Sequence, residues 1–211
     1  MISVPLVHGA NQGRALLLGY LAFTILYWGA AAIHLGAPLV LSPAGPDAAM
    51  PFLGWSVWIY LTQFLLLPVG IVLSRDDQDR SRAYYAMLTA TALAAVVFVV
   101  CPTQLERHAT PATGLTGLAW SMLYFADTQL NCLPSLHAAL AAIAGAALWR
   151  RGWRALALIW PALVVLSALA TKQHVALDVA GGLVLAALAW MLTPRFLRYE
   201  RRKPIHDTVR A

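Results

Sequence analysis

In the stretch TKQHVALDVAGG, which starts at Thr171, a histidine and an aspartate stand four residues apart, His174 and Asp178. On a helix that spacing stacks the two side chains on one face. A carboxylate so placed accepts the proton of one imidazole nitrogen, sets the tautomer, and leaves the other nitrogen as a base, a nucleophile or a metal ligand. A second polar pair, Ser135 and His137, stands in CLPSLHAAL, where a proline precedes a long apolar tract. An ionisable residue inside such a tract is costly, so a functional role is the default reading. The bland rival is a His–Asp pair that only pins two helices together.

Of the 211 residues, 60% are hydrophobic and 11% charged, with a mean hydropathy of +0.68. A soluble domain carries about a quarter of its residues charged, so the composition points to a bilayer. Apolar runs long enough to cross ~30 Å of hydrocarbon as helix occur at about 15–33, 55–73, 83–101, 134–149, 154–170 and 175–193. The expected fold is all-α: a polytopic membrane bundle of six transmembrane helices, with residues 1–211 forming one domain. The first run is long for a signal-peptide core, and its removal would leave an odd number of spans, so it is expected to be retained. Pro161 falls inside the fifth span, where a membrane helix tolerates a kink, and Pro134 suits the first position of the fourth helix.

Thirteen of the fifteen Lys and Arg fall on one side of this arrangement: Arg14, Arg75, Arg80, Arg82, Arg150, Arg151, Arg154, Arg195, Arg198, Arg201, Arg202, Lys203 and Arg210. That bias places both termini in the cytoplasm. The net charge of +6 then reports topology and attraction to anionic inner-leaflet lipids. No basic stripe carries interleaved aromatics, so nucleic acid is not an expected partner.

In six spans the fourth and sixth helices both start at the outer face, which brings Ser135, His137, His174 and Asp178 together. Two helix N-termini directed at one place make an anion site. The two outward cations, Lys172 and Arg107, flank the same stretches and are candidate phosphate ligands. Asp127 and Asn131, in YFADTQLNCLPSLH, are weaker candidates for binding a head group or orienting His137; a cap or turn role serves equally. His108 reads as a surface residue and His34 as interfacial. Trp28, Trp55, Trp58 and Tyr60 read as interfacial anchors, and Gly181 and Gly182 as a close helix contact. Cys101 and Cys132 bracket the outer loop. A disulfide there is permitted, but two buried free thiols are the expectation, because spacing gives no geometry.

PSLH followed 37 residues later by H-x-x-x-D resembles the second and third motifs of the type-2 phosphatidate phosphatase and haloperoxidase superfamily. Within it, CLPSLHAA with TKQHVALDVAGG resembles the branch that includes inositol-phosphorylceramide synthases. The likeness covers roughly residues 100–182. It implies His174 as the nucleophile at phosphorus, Asp178 as its orienting acid, His137 as the general acid and Ser135 as a phosphate ligand. Three cations of the commonest form are absent: Ala94, Cys101 and Ala168 stand where it has Lys, Arg and Arg, and Leu136 replaces a glycine. The synthase-like branch shares part of this loss.

The expected function is metal-independent phosphoryl transfer through a phosphohistidine, with no cofactor, on the non-cytoplasmic face of a membrane. The substrate is a phospholipid or isoprenyl phosphate. If the acceptor is a lipid alcohol the enzyme is a phosphotransferase; if it is water, a lipid phosphate phosphatase. A transporter or proton relay built on the His–Asp pair is the alternative of another class. A metal site is disfavoured because no H-E-x-x-H pair is present and the surroundings are basic.

Overall fold

The computed structural model describes residues 1–110 and 113–200, and the basic tail residues Arg201, Arg202, Lys203 and Arg210 lie outside them. The chain is mostly helical. Strand β1 (Ile2–Pro5) leads to helix α1 (Gln12–Ala32), then β2 (Leu39–Val40), a short α2 (Pro46–Ala49) and a 3-10 turn at Gly54–Ser56. Helices α3 (Val57–Leu61), α4 (Gln63–Val72) and α5 (Asp77–Val100) follow, then β3 (Thr103–Gln104) and α6 (Gly114–Ala126). The chain continues through α7 (Leu136–Arg151), α8 (Arg154–Ala170) and α9 (Ala176–Phe196) to β4 (Leu197–Glu200). Among the described residues four helical stretches are long and apolar enough to cross a membrane: Gln12–Ala32, Gly54–Val72, Asp77–Val100 and Ala176–Phe196.

The two remaining long helices, α7 and α8, have 16 and 17 residues. Their shortness has a structural reason in α7, which is the central element. Ten of its sixteen residues are buried, half of them alanine, so neighbours rather than lipid surround it. Its narrow profile admits close neighbours: a Cβ at Gly70 of α4 would come 2.8 Å from that of Ala144. By contrast α1 is predominantly apolar, yet only Tyr27 and Ala30 of its 21 residues are buried.

Local signals set several ends. Asp76 caps α5 by accepting the Asp79 N–H (2.8 Å), with acids in the first turn opposing the helix dipole. Gly152 ends α7 in the left-handed conformation that favours glycine, φ 98°, its N–H on the Leu148 and Trp149 carbonyls. Pro134 does not open α7 as expected. It lies one residue before the cap, Ser135, and its bond to Leu133 is cis.

Parallel pairing of β1 with β4, Ile2 opposite Leu197 through Pro5 opposite Glu200, puts the start of α1 and the end of α9 at one end of the bundle. At that end Arg150 of α7 holds Asp79 of α5 (2.7 Å), and Arg82 lies over Trp190 while donating to its carbonyl (3.0 Å). At the opposite end β2 pairs with β3, Leu39 opposite Thr103, and Leu53 N–H bonds Ala170 O (2.9 Å). Helices α7 and α9 both begin there. Trp28, Trp55 and Trp58 are exposed, as anchors would be, but Tyr60 is fully buried, which corrects its reading as an interfacial residue.

Candidate active site

The start of α7 meets the start of α9 through main chain: Ser135 N–H donates to Asp178 O (2.9 Å). Gly182, one turn past Asp178, makes this approach possible, because a Cβ there would run into Ser135 O and come 3.0 Å from Ala138 Cβ. The close-contact reading of that glycine therefore has a specific partner.

His174 and Asp178 do pair, Nδ1 to Oδ2 at 2.7 Å, with His174 6% exposed and Asp178 wholly buried. Stacking along one helix face is not the cause. His174 lies before the cap residue Val175, in a turn whose Gln173 and His174 N–H groups bond Ala168 O (3.0 and 3.2 Å). Asp178 reaches back across the first turn, Oδ1 accepting the Val175 N–H (2.8 Å) and Oδ2 meeting the imidazole. Since the carboxylate accepts a hydrogen bond from Nδ1–H, Nε2 of the neutral imidazole carries the lone pair.

That Nε2 lies 3.1 Å from Nδ1 of His137, so Nδ1 of His137 is the donor between them. Tyr60, from α3, closes over His137 with ring centroids 4.5 Å apart. Its hydroxyl is 2.6 Å from Nε2 and 3.2 Å from Nδ1. One oxygen within reach of both nitrogens lies over the ring face, not in the ring plane. The phenolic proton is thereby free for Asp127 Oδ2 (3.2 Å), and the Tyr27 hydroxyl donates to Oδ1 of the same carboxylate. The polar series therefore runs Asp178, His174, His137, Tyr60, Asp127, Tyr27. Sequence reasoning missed both tyrosines. The available signal was a hydroxyl in the middle of an apolar run, since a buried phenol needs a partner.

The other candidates are placed differently from one another. Lys172 takes a left-handed backbone, φ 56°, and donates Nζ to Asp47 O (2.8 Å) and Met50 O (2.6 Å). Two of its three N–H groups are thus engaged. Arg107 donates to Asp127 O (2.7 Å) and lies over the Tyr124 ring (4.2 Å). Ser135 Oγ caps α7 by accepting the Ala138 N–H (3.2 Å), and its own O–H proton remains. Asn131, also left-handed at φ 64°, donates to Tyr27 O of α1 (2.8 Å) and lines neither cavity described below. Several amides expected to cradle an anion are already met by the protein: Ala176 N–H goes to Asp47 Oδ2 (2.7 Å) and Val175 N–H to Asp178.

Two spaces flank the histidines. A polar cavity of about 570 Å³ is lined by His174, Lys172, Arg107, His108 and Asp47. A groove between α1, α4, α5 and α7 is walled by apolar side chains, with His137, Asp127 and Tyr27 on it and the partly exposed Tyr20 and Phe64 also lining it. His108 stacks on Phe52 (5.1 Å). Both cysteines are free, but only Cys132 is buried as expected, Cys101 being exposed at the end of α5; burial, reinforced by the Asp178 and Asp127 carboxylates, pushes the Cys132 thiol up to about 12. Among the described residues no three His, Cys, Asp or Glu converge as a metal site would require.

A family model for the PAP2 superfamily matches residues 30–192. No curated protein and no solved structure matches the chain.

Proposed function

The chain belongs to the PAP2 superfamily, and from that premise we propose that it is a multi-pass membrane enzyme that moves a phosphate-bearing head group between lipid alcohols on the non-cytoplasmic face. Membership of the superfamily points to a lipid phosphatase or phosphotransferase. The observation that carries the finer reading is that the two touching histidines line different spaces: His174 the polar cavity, His137 the apolar groove. A bare phosphate needs far less room than about 570 Å³, whereas a phosphate bearing a head group uses it.

In this mechanism the phospholipid lays its chains in the groove and its head group in the cavity. His137 leaves Nε2 of His174 and turns toward the groove it lines, so that phosphorus comes in line with Nε2. The Nε2 lone pair forms the P–N bond as the P–O bond to the lipid alkoxide breaks, and protonated His137 gives that oxygen its proton. Asp178 stabilises the imidazolium character that develops on His174. A second lipid alcohol then enters the groove, yields its proton to His137 and attacks phosphorus, and the P–N bond breaks to restore His174. The third N–H of Lys172, the unused N–H groups of Arg107 and the Ser135 hydroxyl stabilise the equatorial oxygens. A phosphodiester carries one negative charge, which suits a site with so few cations.

The test uses purified enzyme in mixed micelles with a phospholipid labelled in its head group and diacylglycerol or ceramide as acceptor. Acceptor-dependent labelled phospholipid, together with a base-stable label on His174 after alkaline quench, is expected. Rapid release of inorganic phosphate from phosphatidate or an isoprenyl phosphate, with no acceptor-dependent product, refutes transfer and leaves the phosphatase.

A further inference from the structure

A second carboxylate stands on the far side of His137. On the near side is His174, 3.1 Å away and held by Asp178; on the far side, beyond the Tyr60 hydroxyl that lies over the ring, is Asp127. The titratable groups around this imidazole are Tyr27 from α1, Tyr60 from α3, Asp127 at the end of α6 and His174 ahead of α9. Asp127 is the carboxylate among them. Local structure gives no reason for its position. It is the C-cap of α6, where the negative end of the helix dipole disfavours an anion. Yet the protein fixes it firmly: the Tyr27 hydroxyl and the Thr128 N–H (2.8 Å) donate to Oδ1, Tyr60 donates to Oδ2 (3.2 Å), and Arg107 donates to the main-chain oxygen (2.7 Å). Among the described residues Oδ2 accepts only that one bond, which leaves it a second acceptor position. Asp127 is partly exposed and lines the same groove as His137.

The proposed phosphoryl transfer needs a proton on His137, in a groove whose walls are mostly apolar. An imidazolium there is costly without a counter-charge, and Asp178 is already committed to His174 and the Val175 N–H. We infer that Asp127 is the positioning partner of His137: as the imidazole draws back from His174 it sets Nε2–H on the open acceptor of Asp127 Oδ2, beside the Tyr60 hydroxyl, and keeps Nδ1–H aimed at the space it has left. The inference rests on phosphoryl chemistry at His174 but not on which alcohol, or water, is the acceptor. As Nε2 of His174 forms the P–N bond, the P–O bond breaks and its electron pair goes to the departing oxygen, which takes the Nδ1 proton of His137. His137 is left neutral, Asp127 stays a carboxylate, and the incoming alcohol or water returns the proton in the second half. The site is then two Asp–His pairs set face to face, one holding the nucleophile and the other the acid. The same α6 terminus that disfavours the carboxylate favours the imidazolium beside it.

The test turns on leaving groups, because a lipid alkoxide must be protonated as it departs whereas 4-nitrophenolate leaves without a proton. Full-length protein in mixed micelles is kept in excess over substrate, so that only formation of the P–N bond is timed. The substrates are phosphatidylcholine, phosphatidylinositol and phosphatidate, each beside the 4-nitrophenyl ester of the same phosphoryl group. In Asp127→Asn, release of labelled diacylglycerol is expected to slow at least about 100-fold, while nitrophenolate release stays within about threefold of the parent. His137→Gln is expected to show the same split, and adding Asp127→Asn to it to cost no more than about threefold further. Asp127→Ser repeats the measurement with a smaller side chain, and nitrophenolate release itself reports that each variant is folded. Equal slowing of both leaving groups, as a merely structural role would give, overturns the inference, and so does diacylglycerol release within about threefold of the parent. With phosphatidate included, a protein that proves to be a phosphatase still reads out Asp127, so failure of head-group transfer and failure of this role are separate results. A parent inert with every ester overturns both.

Discussion

Replacing Asp178 by asparagine changes one proton and almost no volume, so it isolates the tautomer of His174 from the packing around it. The carboxylate is wholly buried and accepts two hydrogen bonds, from His174 Nδ1 at 2.7 Å and Val175 N–H at 2.8 Å. Asparagine can keep the second bond through its carbonyl. Its NH₂ group then faces Nδ1 and is satisfied only if that nitrogen is unprotonated, which moves the imidazole proton to Nε2. The nucleophilic lone pair disappears, and Nε2–H is left pointing at His137. A His–Asp pair forced into the wrong tautomer loses about 10⁴-fold in turnover, or about 5.5 kcal/mol of barrier. Stability changes far less. No cavity forms, and one charge-assisted bond becomes a neutral one, a loss of about 1 kcal/mol. The assay pairs head-group transfer in mixed micelles with a detergent melting curve and alkaline-quench detection of phosphohistidine. An Asp178→Asn enzyme that folds, yet turns over within about tenfold of the parent, would refute the claim that His174 Nε2 attacks.

Tyr60→Phe removes the hydroxyl between His137 and Asp127 and leaves Oδ2 of that carboxylate without its phenolic donor. Turnover is expected to fall by about tenfold with stability lowered by about 1–3 kcal/mol, and an unchanged rate constant would show that Tyr60 plays no part in placing His137. Asp76→Ala removes the α5 cap and should destabilise the protein by about 1 kcal/mol near neutral pH. The Asp79 N–H lowers the Asp76 pKa, so its contribution is present above the ordinary aspartate value of about 3.9 and is lost as pH falls through the lowered one. The stability gap between parent and variant should accordingly stay constant from pH 7 to about 5 and close below about 4; a gap that persists in acid contradicts the capping role. For orientation, in a Cys101→Ser background that removes the exposed native thiol, a cysteine placed at the exposed Glu106 is expected to react with an impermeant thiol reagent in intact cells, while the buried Cys132, protonated far above neutral pH, stays silent. Labelling at Glu106→Cys only after lysis reverses the topology.

Several features were legible along the chain because they depend on neighbours in sequence. Apolar run lengths located the ends of the long helices within about three residues, except that α5 begins at Asp77 and not near 83, its first turns being charged; the second run is built from a 3-10 turn and two helices, and α6 rises from a stretch read as loop. The four-residue interval between His174 and Asp178 marked a pair that does form, because a first-turn carboxylate reaches back over its own cap whether or not the partner is helical. Glycine at Gly182 signalled a close approach without naming its partner.

The tertiary structure decided what faces what. Tyr60 and Gln63 sit in the same apolar run as the exposed Trp58, and only the packing of α3 and α4 against α7 turns the first two inward. Lys172 and Asp47 lie 125 residues apart, yet the short α2 segment carrying Asp47 and the following Met50 engages two of that lysine's donors and caps α9. A helix start identified from sequence therefore looked like a free anion site, although distant side chains already fill part of it. Periodicity records which face of a helix is apolar, since that is set by the repeat of one segment. Which polar groups on that face find a donor, and which stay open to a ligand, is set by side chains that arrive from elsewhere in the chain, and no interval along α4 or α9 carries that information.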